Sequence, residues 1–162
     1  MTKDDNALLR QHLQYLLSGG GAHLDFDTAI RGIPFNLCGV KPPGLQQTAW
    51  RLMEHMRIAQ RDILDFCIDS KYVPKEFPSG YWPPGDAPAN VTVWKKSIKS
   101  FRADLNEMQR LVANRSTDLF APIPHGDGQT ILREALLVAD HNSYHLGQLV
   151  TLRRLLDAWT SS

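Results

Sequence analysis

Cysteine is scarce in this chain. Cys38 and Cys67 are its only thiols in 162 residues, too few for the disulfide framework of a small secreted domain. Long apolar runs are also missing. The longest, Ala135 to Ala139, is far short of the roughly 20 residues a helix needs to cross a bilayer. The opening residues Met1-Thr2-Lys3-Asp4-Asp5-Asn6 are polar, with no apolar stretch of a secretory signal behind them. Neither sign of charge dominates. Lys and Arg number 18, Asp and Glu 17, and the net charge is +1 with no basic block, which argues against a nucleic-acid partner. No segment alternates apolar and polar residues for a useful length, and there is no repeat. The apolar fraction of 43% and charged fraction of 22% are globular values. The expectation is a cytoplasmic protein with free thiols, one domain over residues 1–162, and no membrane contact.

What the chain does have is helical periodicity. A first helix is expected from about Asp5 to Leu17, with Leu8, Leu9, His12, Leu13 and Leu16 facing the core. Ser18-Gly19-Gly20-Gly21 stops it. A short helix is expected near Phe26 to Arg31, before Pro34, Pro42 and Pro43 break the chain. A second long helix runs from about Gln46–Thr48 to Asp69. Then come five prolines, Pro74, Pro78, Pro83, Pro84 and Pro88, which exclude regular helix. A third long helix starts at Asn90 as N-cap and runs to about Asn114. A fourth occupies Gln129 to about Asp157. Four such helices predict an all-α four-helix bundle. The proline-rich crossover between the second and third has about twenty residues and reaches up to ~3.3 Å per residue. It is long enough to climb a ~30 Å helix and so permits an up-down-down-up order.

His141 and His145 are the most informative pair. Four residues apart on a helix, they lie one above the other on one face and can both present a nitrogen to one metal ion. That face also carries Glu134, Val138, Gln148 and Leu152, flanked by Leu137, Leu149 and Leu155. An imidazole on an apolar face is costly without a partner. His55 on the second long helix supplies a third donor. Three protein ligands leave one position open for water or substrate.

Other candidates fit less well. Cys67 lies twelve residues beyond His55, about 18 Å along an unbroken helix, so it reads as a packing residue. Cys38 sits in an irregular segment. His125 reads as a loop or cap residue, and His12 and His23 as boundary or surface residues. Gln148, one turn below His145, either orients a ligand imidazole or a bound water or is a boundary residue with a structural hydrogen bond. Glu134 and Asp62 lie two turns from His141 and His55. They are candidate outer carboxylates or general bases, with a helix-surface ion pair as the simpler account. Tyr144 is offset from the stripe and reaches the pocket or packs. Gly147 costs ~1 kcal/mol against Ala in a helix, which a close approach by a neighbouring helix or a dimer partner would justify. Phe77-Pro78-Ser79-Gly80-Tyr81-Trp82-Pro83-Pro84 roofs a pocket or covers the bundle.

The segment Asp140-His141-Asn142-Ser143-Tyr144-His145-Leu146-Gly147-Gln148, with Trp50-Arg51-Leu52-Met53-Glu54-His55-Met56 before it, resembles the ordered motifs of the DinB/YfiT-like superfamily. The resemblance covers essentially the whole chain. It implies an up-down-down-up bundle, commonly a homodimer, in which His55, His141 and His145 bind a divalent ion such as Zn²⁺ or Ni²⁺. Members include thiol-dependent transferases and isomerases, candidate metal-dependent hydrolases, and many proteins of unknown activity. An open three-His site suits either chemistry: it can activate water or accept the thiolate of a low-molecular-weight thiol. The substrate is not legible. The competing expectation is a non-catalytic bundle in which the metal, or the His cluster without metal, serves structure or ligand sensing.

Overall fold

Each long helix after the first begins where a side chain can cap it. Thr48 Oγ1 accepts from Arg51 N–H at 3.1 Å, Asn90 Oδ1 from Val93 N–H at 3.0 Å, and Thr130 Oγ1 from Arg133 N–H at 3.2 Å. Each cap satisfies a backbone donor that the first turn leaves free. The computed structural model describes residues 3–19 and 21–159, with side chains from Asn6 onward. Met1 and Thr2 of the polar N-terminus, and Gly20 of the glycine run, lie outside the described residues.

The elements are α1 (Lys3–Leu17), α2 (Phe26–Ile30), α3 (Ala49–Ile68), α4 (Val91–Ala113) and α5 (Ile131–Leu155). Short 3₁₀ turns occur at Phe35–Leu37 and Ser79–Tyr81. Among the described residues there is no strand, only an isolated bridge between Pro122 and Thr130. The chain is all-α, as its periodicity predicts.

The helices bury two apolar clusters. One gathers Phe26, Trp50, Met53, Met56, Trp94, Phe101, Leu149 and Leu152. The other gathers Leu13, Leu17, Leu64, Met108, Val112, Leu119, Ile131 and Val138. Between them along α3 and α5 lie Gln60 and Asn142. Gln60 Nε2 donates to the Phe101 carbonyl at 2.8 Å, and Asn142 Nδ2 donates to Gln60 Oε1 at 2.9 Å. A thin polar layer thus ties α3, α4 and α5 together at the level of the histidines.

Two expectations about helix faces fail. On α1, Leu13 and Leu17 are buried, but Leu8 and Leu16 are about half exposed and His12 is exposed. The helix is turned so that Arg10 faces inward. Its guanidinium donates to the carbonyls of Val112, Asn114 and Thr117, closing the C-terminal end of α4. A pattern of leucines alone does not reveal that a charged residue has three carbonyls waiting for it. On α5, Leu155 is 53% exposed, because the helix ends there and the chain turns away.

Candidate metal centre

α3 and α5 bring three imidazoles together. His55 and His145 are buried and His141 half-buried. The Nε2 atoms of His55 and His145 are 3.1 Å apart, and those of His141 and His55 are also 3.1 Å apart. The sequence-based trio is therefore one cluster that can hold a metal ion.

The protons decide what such a cluster is for. His55 Nδ1–H donates to the Tyr81 carbonyl at 2.8 Å, and a carbonyl can only accept. His145 Nδ1–H donates to Gln148 Oε1 at 2.8 Å. A neutral imidazole carries one proton, so both Nε2 atoms are bare lone pairs aimed at each other. Burial pulls the imidazolium forms of His55 and His145 below their ordinary range. Burial, then the neighbouring His145 and His55, pulls His141 down to about 4. The neutral forms therefore prevail near pH 7. Converging lone pairs repel unless a cation sits among them. Nitrogens ~2.0–2.1 Å from one tetrahedral ion lie about 3.3 Å apart, close to the separations found. The donor set fits a divalent transition ion.

The surroundings hold these rings in place. Trp82 stacks on His55 at 3.9 Å with planes 4° apart, and the Arg51 guanidinium lies 5.3 Å from the Trp82 ring centre. The proline-rich segment between α3 and α4 thus supplies both the Tyr81 carbonyl that fixes the His55 tautomer and the ring that covers it. Neither contact has a sequence signal, because loop residues carry no periodicity.

The remaining candidates separate. Gln148 Oε1 accepts the His145 Nδ1 proton. Tyr144 does not pack: it is 65% exposed, with its ring edge-on to His145 at 5.0 Å. Asp62 and Glu134 are not surface residues. Asp62 is 6% exposed, and its Oδ2 accepts from Tyr81 Oη at 2.6 Å and Tyr72 Oη at 3.1 Å. Burial, then the adjacent Asp62, pushes the Tyr72 phenol up to about 12 and raises Tyr81 as well, so both remain donors. Glu134 is 2% exposed and pairs with Arg133 at 2.5 Å. Gly147 has no atom within 4 Å of where a Cβ would stand, so no helix of this chain requires it.

Cys67 lies outside the cluster, with burial pushing its thiol up to about 12. Cys38 is buried, its thiol raised to about 11 by burial, and its Sγ–H donates to the Pro34 carbonyl at 3.6 Å. Burial thus disfavours the thiolate form of both. His125 Nε2–H donates to the Phe66 carbonyl at 2.9 Å, capping the last turn of α3. His23 is exposed and contacts Ser143 Oγ at 3.0 Å.

Clefts flank the cluster. One of about 420 Å³ is lined by His55 and His141 themselves. Another of about 570 Å³ is lined by Tyr144, Gly147 and Gln148. No family model, no curated protein and no solved structure matches the chain. No helix among the described residues is long and apolar enough to cross a membrane.

Proposed function

We propose that this protein is a metal-dependent enzyme of the DinB/YfiT-like kind, with a divalent ion held by His55, His141 and His145. One observation carries the proposal: two of the three converging nitrogens have their Nδ1 proton committed elsewhere, so they meet as lone pairs. A hydrogen-bonded core cluster would place a proton between them. Zn²⁺ and Ni²⁺ are among the ions that suit imidazole donors.

Bound there, the ion supplies Lewis-acid chemistry and an open coordination position. The chain's own residues do the rest. The Tyr81 carbonyl and Gln148 keep the Nδ1 protons in place and the Nε2 atoms free. Trp82 restrains the His55 ring plane. The cleft beside His55 and His141 gives a small molecule a way in, which favours an enzyme over a closed structural site. The reaction is a hydrolysis or a transfer dependent on a low-molecular-weight thiol.

The same reading takes α1, α3, α4 and α5 as an up-down-down-up bundle with the proline-rich segment as its crossover. The order of contacts supports it. Trp50 meets Trp94, and Arg61, farther along α3, meets Asp104, farther along α4, as helices running the same way require. A homodimer belongs to this reading too, and Leu8, Tyr15 and Leu16, all exposed on α1, offer it an apolar face.

Elemental analysis of protein purified without a metal-affinity tag tests the proposal. About one transition ion per chain is expected. Metal-free protein that takes up neither Zn²⁺ nor Ni²⁺ would end it.

A further inference from the structure

Asp62 follows His55 by seven residues on α3, and Glu134 precedes His141 by seven on α5. Seven residues are two helical turns, about 10.5 Å of rise. All four residues line the same cleft of about 420 Å³. Both carboxylates therefore lie at one end of it and the imidazole cluster at the other, roughly 10 Å away. Phe66 and Phe77 also line the cleft.

The carboxylates are underused as acceptors. A carboxylate has about four acceptor sites, and burying one is costly unless those sites are filled. Asp62 receives two phenol protons, both on Oδ2. Glu134 receives Arg133, on Oε1. Among the described residues Asp62 Oδ1 and Glu134 Oε2 receive nothing, although the two residues are only 6% and 2% exposed. Neither oxygen is fully enclosed, and both residues line the cleft. The one guanidinium present, Arg133, is 58% exposed and offsets one of the two carboxylates. That leaves a net negative end with aromatic walls, a setting that binds organic cations through charge-assisted hydrogen bonds and ring faces.

We propose that this cleft is the substrate site and selects a small organic cation. Its ligand carries a metal-binding donor at one end and a protonated amine about 10 Å away, received by Asp62 Oδ1 and Glu134 Oε2. The metal-binding half of this description rests on the three-His function proposed above; the amine-binding half does not.

Two experiments separate those halves. Co²⁺-loaded protein is titrated with 6-aminohexanethiol, hexanethiol and 6-mercaptohexanoic acid while the visible spectrum is followed. All three should perturb the spectrum. The aminothiol should bind about tenfold tighter than hexanethiol, the yield of one good charge-assisted contact, and the mercapto-acid weakest. Glu134→Gln touches none of the three histidines and should reduce the aminothiol preference severalfold while leaving hexanethiol binding unchanged. Asp62→Asn should do the same if its tie to Tyr81 survives. Equal affinities for the three thiols, or preference for the acid, would overturn the cation site while leaving the metal reading intact. No spectral change with any thiol would instead overturn the open three-His site. The second experiment needs no metal: phenethylamine is compared with phenethyl alcohol by backbone amide shifts of the apoprotein. Shifts near Asp62 and Glu134 with the amine alone, lost in Glu134→Gln, are expected. Equal shifts with amine and alcohol, or none, would sink the proposal whatever the cobalt spectra show.

Discussion

Two buried polar clusters sit side by side on α3 and α5, and they are built in opposite ways. Gln60, Asn142 and the Phe101 carbonyl form a chain in which donors meet acceptors, with Asn142 Oδ1 the one atom left over. In the cluster of His55, His141 and His145, the inward Nε2 atoms of His55 and His145 are acceptors meeting each other. His141 and Asn142 are adjacent residues, so neither burial nor position along the helix explains the contrast. A polar group that closes its own hydrogen bonds in a core specifies packing. A polar group that turns its lone pairs inward is incomplete until a cation arrives. The difference separates a structural layer from a site more sharply than burial or residue type does.

Removing a histidine should break the comparison most strongly. His55→Ala, His141→Ala and His145→Ala should each take metal content from about one ion per chain to near zero, since two imidazoles hold an ion far less well than three. His12→Ala and His125→Ala should leave it unchanged. The fold should survive both chelation and these substitutions, because the two apolar clusters do not depend on the metal. Metal content by mass spectrometry and helix content by circular dichroism check both statements. Unfolding on chelation would make the ion structural.

Acid should empty the site without disturbing the amide layer. Imidazoles must be neutral to coordinate. In the metal-free fold His141 is held down to about 4, against ~6.5 in an unfolded chain. Between those values the unfolded chain binds a proton that the fold does not, so stability declines as pH falls from 6.5 toward 4, with no penalty above that window. Protons compete poorly in the fold, so metal loss should have its midpoint below ~6.5. Retention of full occupancy under pH 4 would point to ligands other than imidazole.

Gln148→Ala removes the acceptor that fixes the His145 tautomer and should weaken metal binding by about 10–100-fold, the usual effect of losing such an outer partner. A competition titration with a chelator measures it. Gln60→Ala sharpens the other side of the contrast. It removes the side-chain donor to the Phe101 carbonyl and orphans the Asn142 amide and should cost about 1–3 kcal/mol in denaturant unfolding, with metal affinity unaltered. If Gln60→Ala also released the metal, the two clusters would be one system.

The two clusters were unequally legible in the sequence. The spacing of His141, His145 and Gln148 on a proline-free segment placed them on one face, and His55 followed from a second long helix. The amide layer was invisible: Gln60 and Asn142 are polar residues on faces that periodicity assigns by their apolar neighbours. The Tyr81 carbonyl and the Trp82 stack were also invisible, because a proline-rich loop has no period from which to infer contacts. Arg10 shows the same limit on α1: Leu13 is buried as the leucine pattern predicts, but Leu8 and Leu16 are not, and nothing in the pattern turned Arg10 inward. Periodicity finds what is buried because it is apolar, and misses what is buried because it has a polar partner.

Gly147 belongs to neither cluster, which makes it the control. It lies within the α5 segment that carries His141, Asn142, His145 and Gln148, and a Cβ there would meet nothing within 4 Å. Its backbone is helical, and glycine in a helix interior is worth roughly 0.5–1 kcal/mol less than alanine. Gly147→Ala should therefore stabilise the protein by up to that amount without changing metal affinity, because it stiffens the helix that bears both clusters and touches neither. Denaturant unfolding with a parallel metal titration decides it. Destabilisation would mean that something outside the chain, a second copy or a ligand in the neighbouring cleft, approaches the backbone there. If sedimentation then showed a change in mass, the approach would be a second copy; if it showed none but ligand binding fell, the cleft lined by Tyr144, Gly147 and Gln148 would be in use.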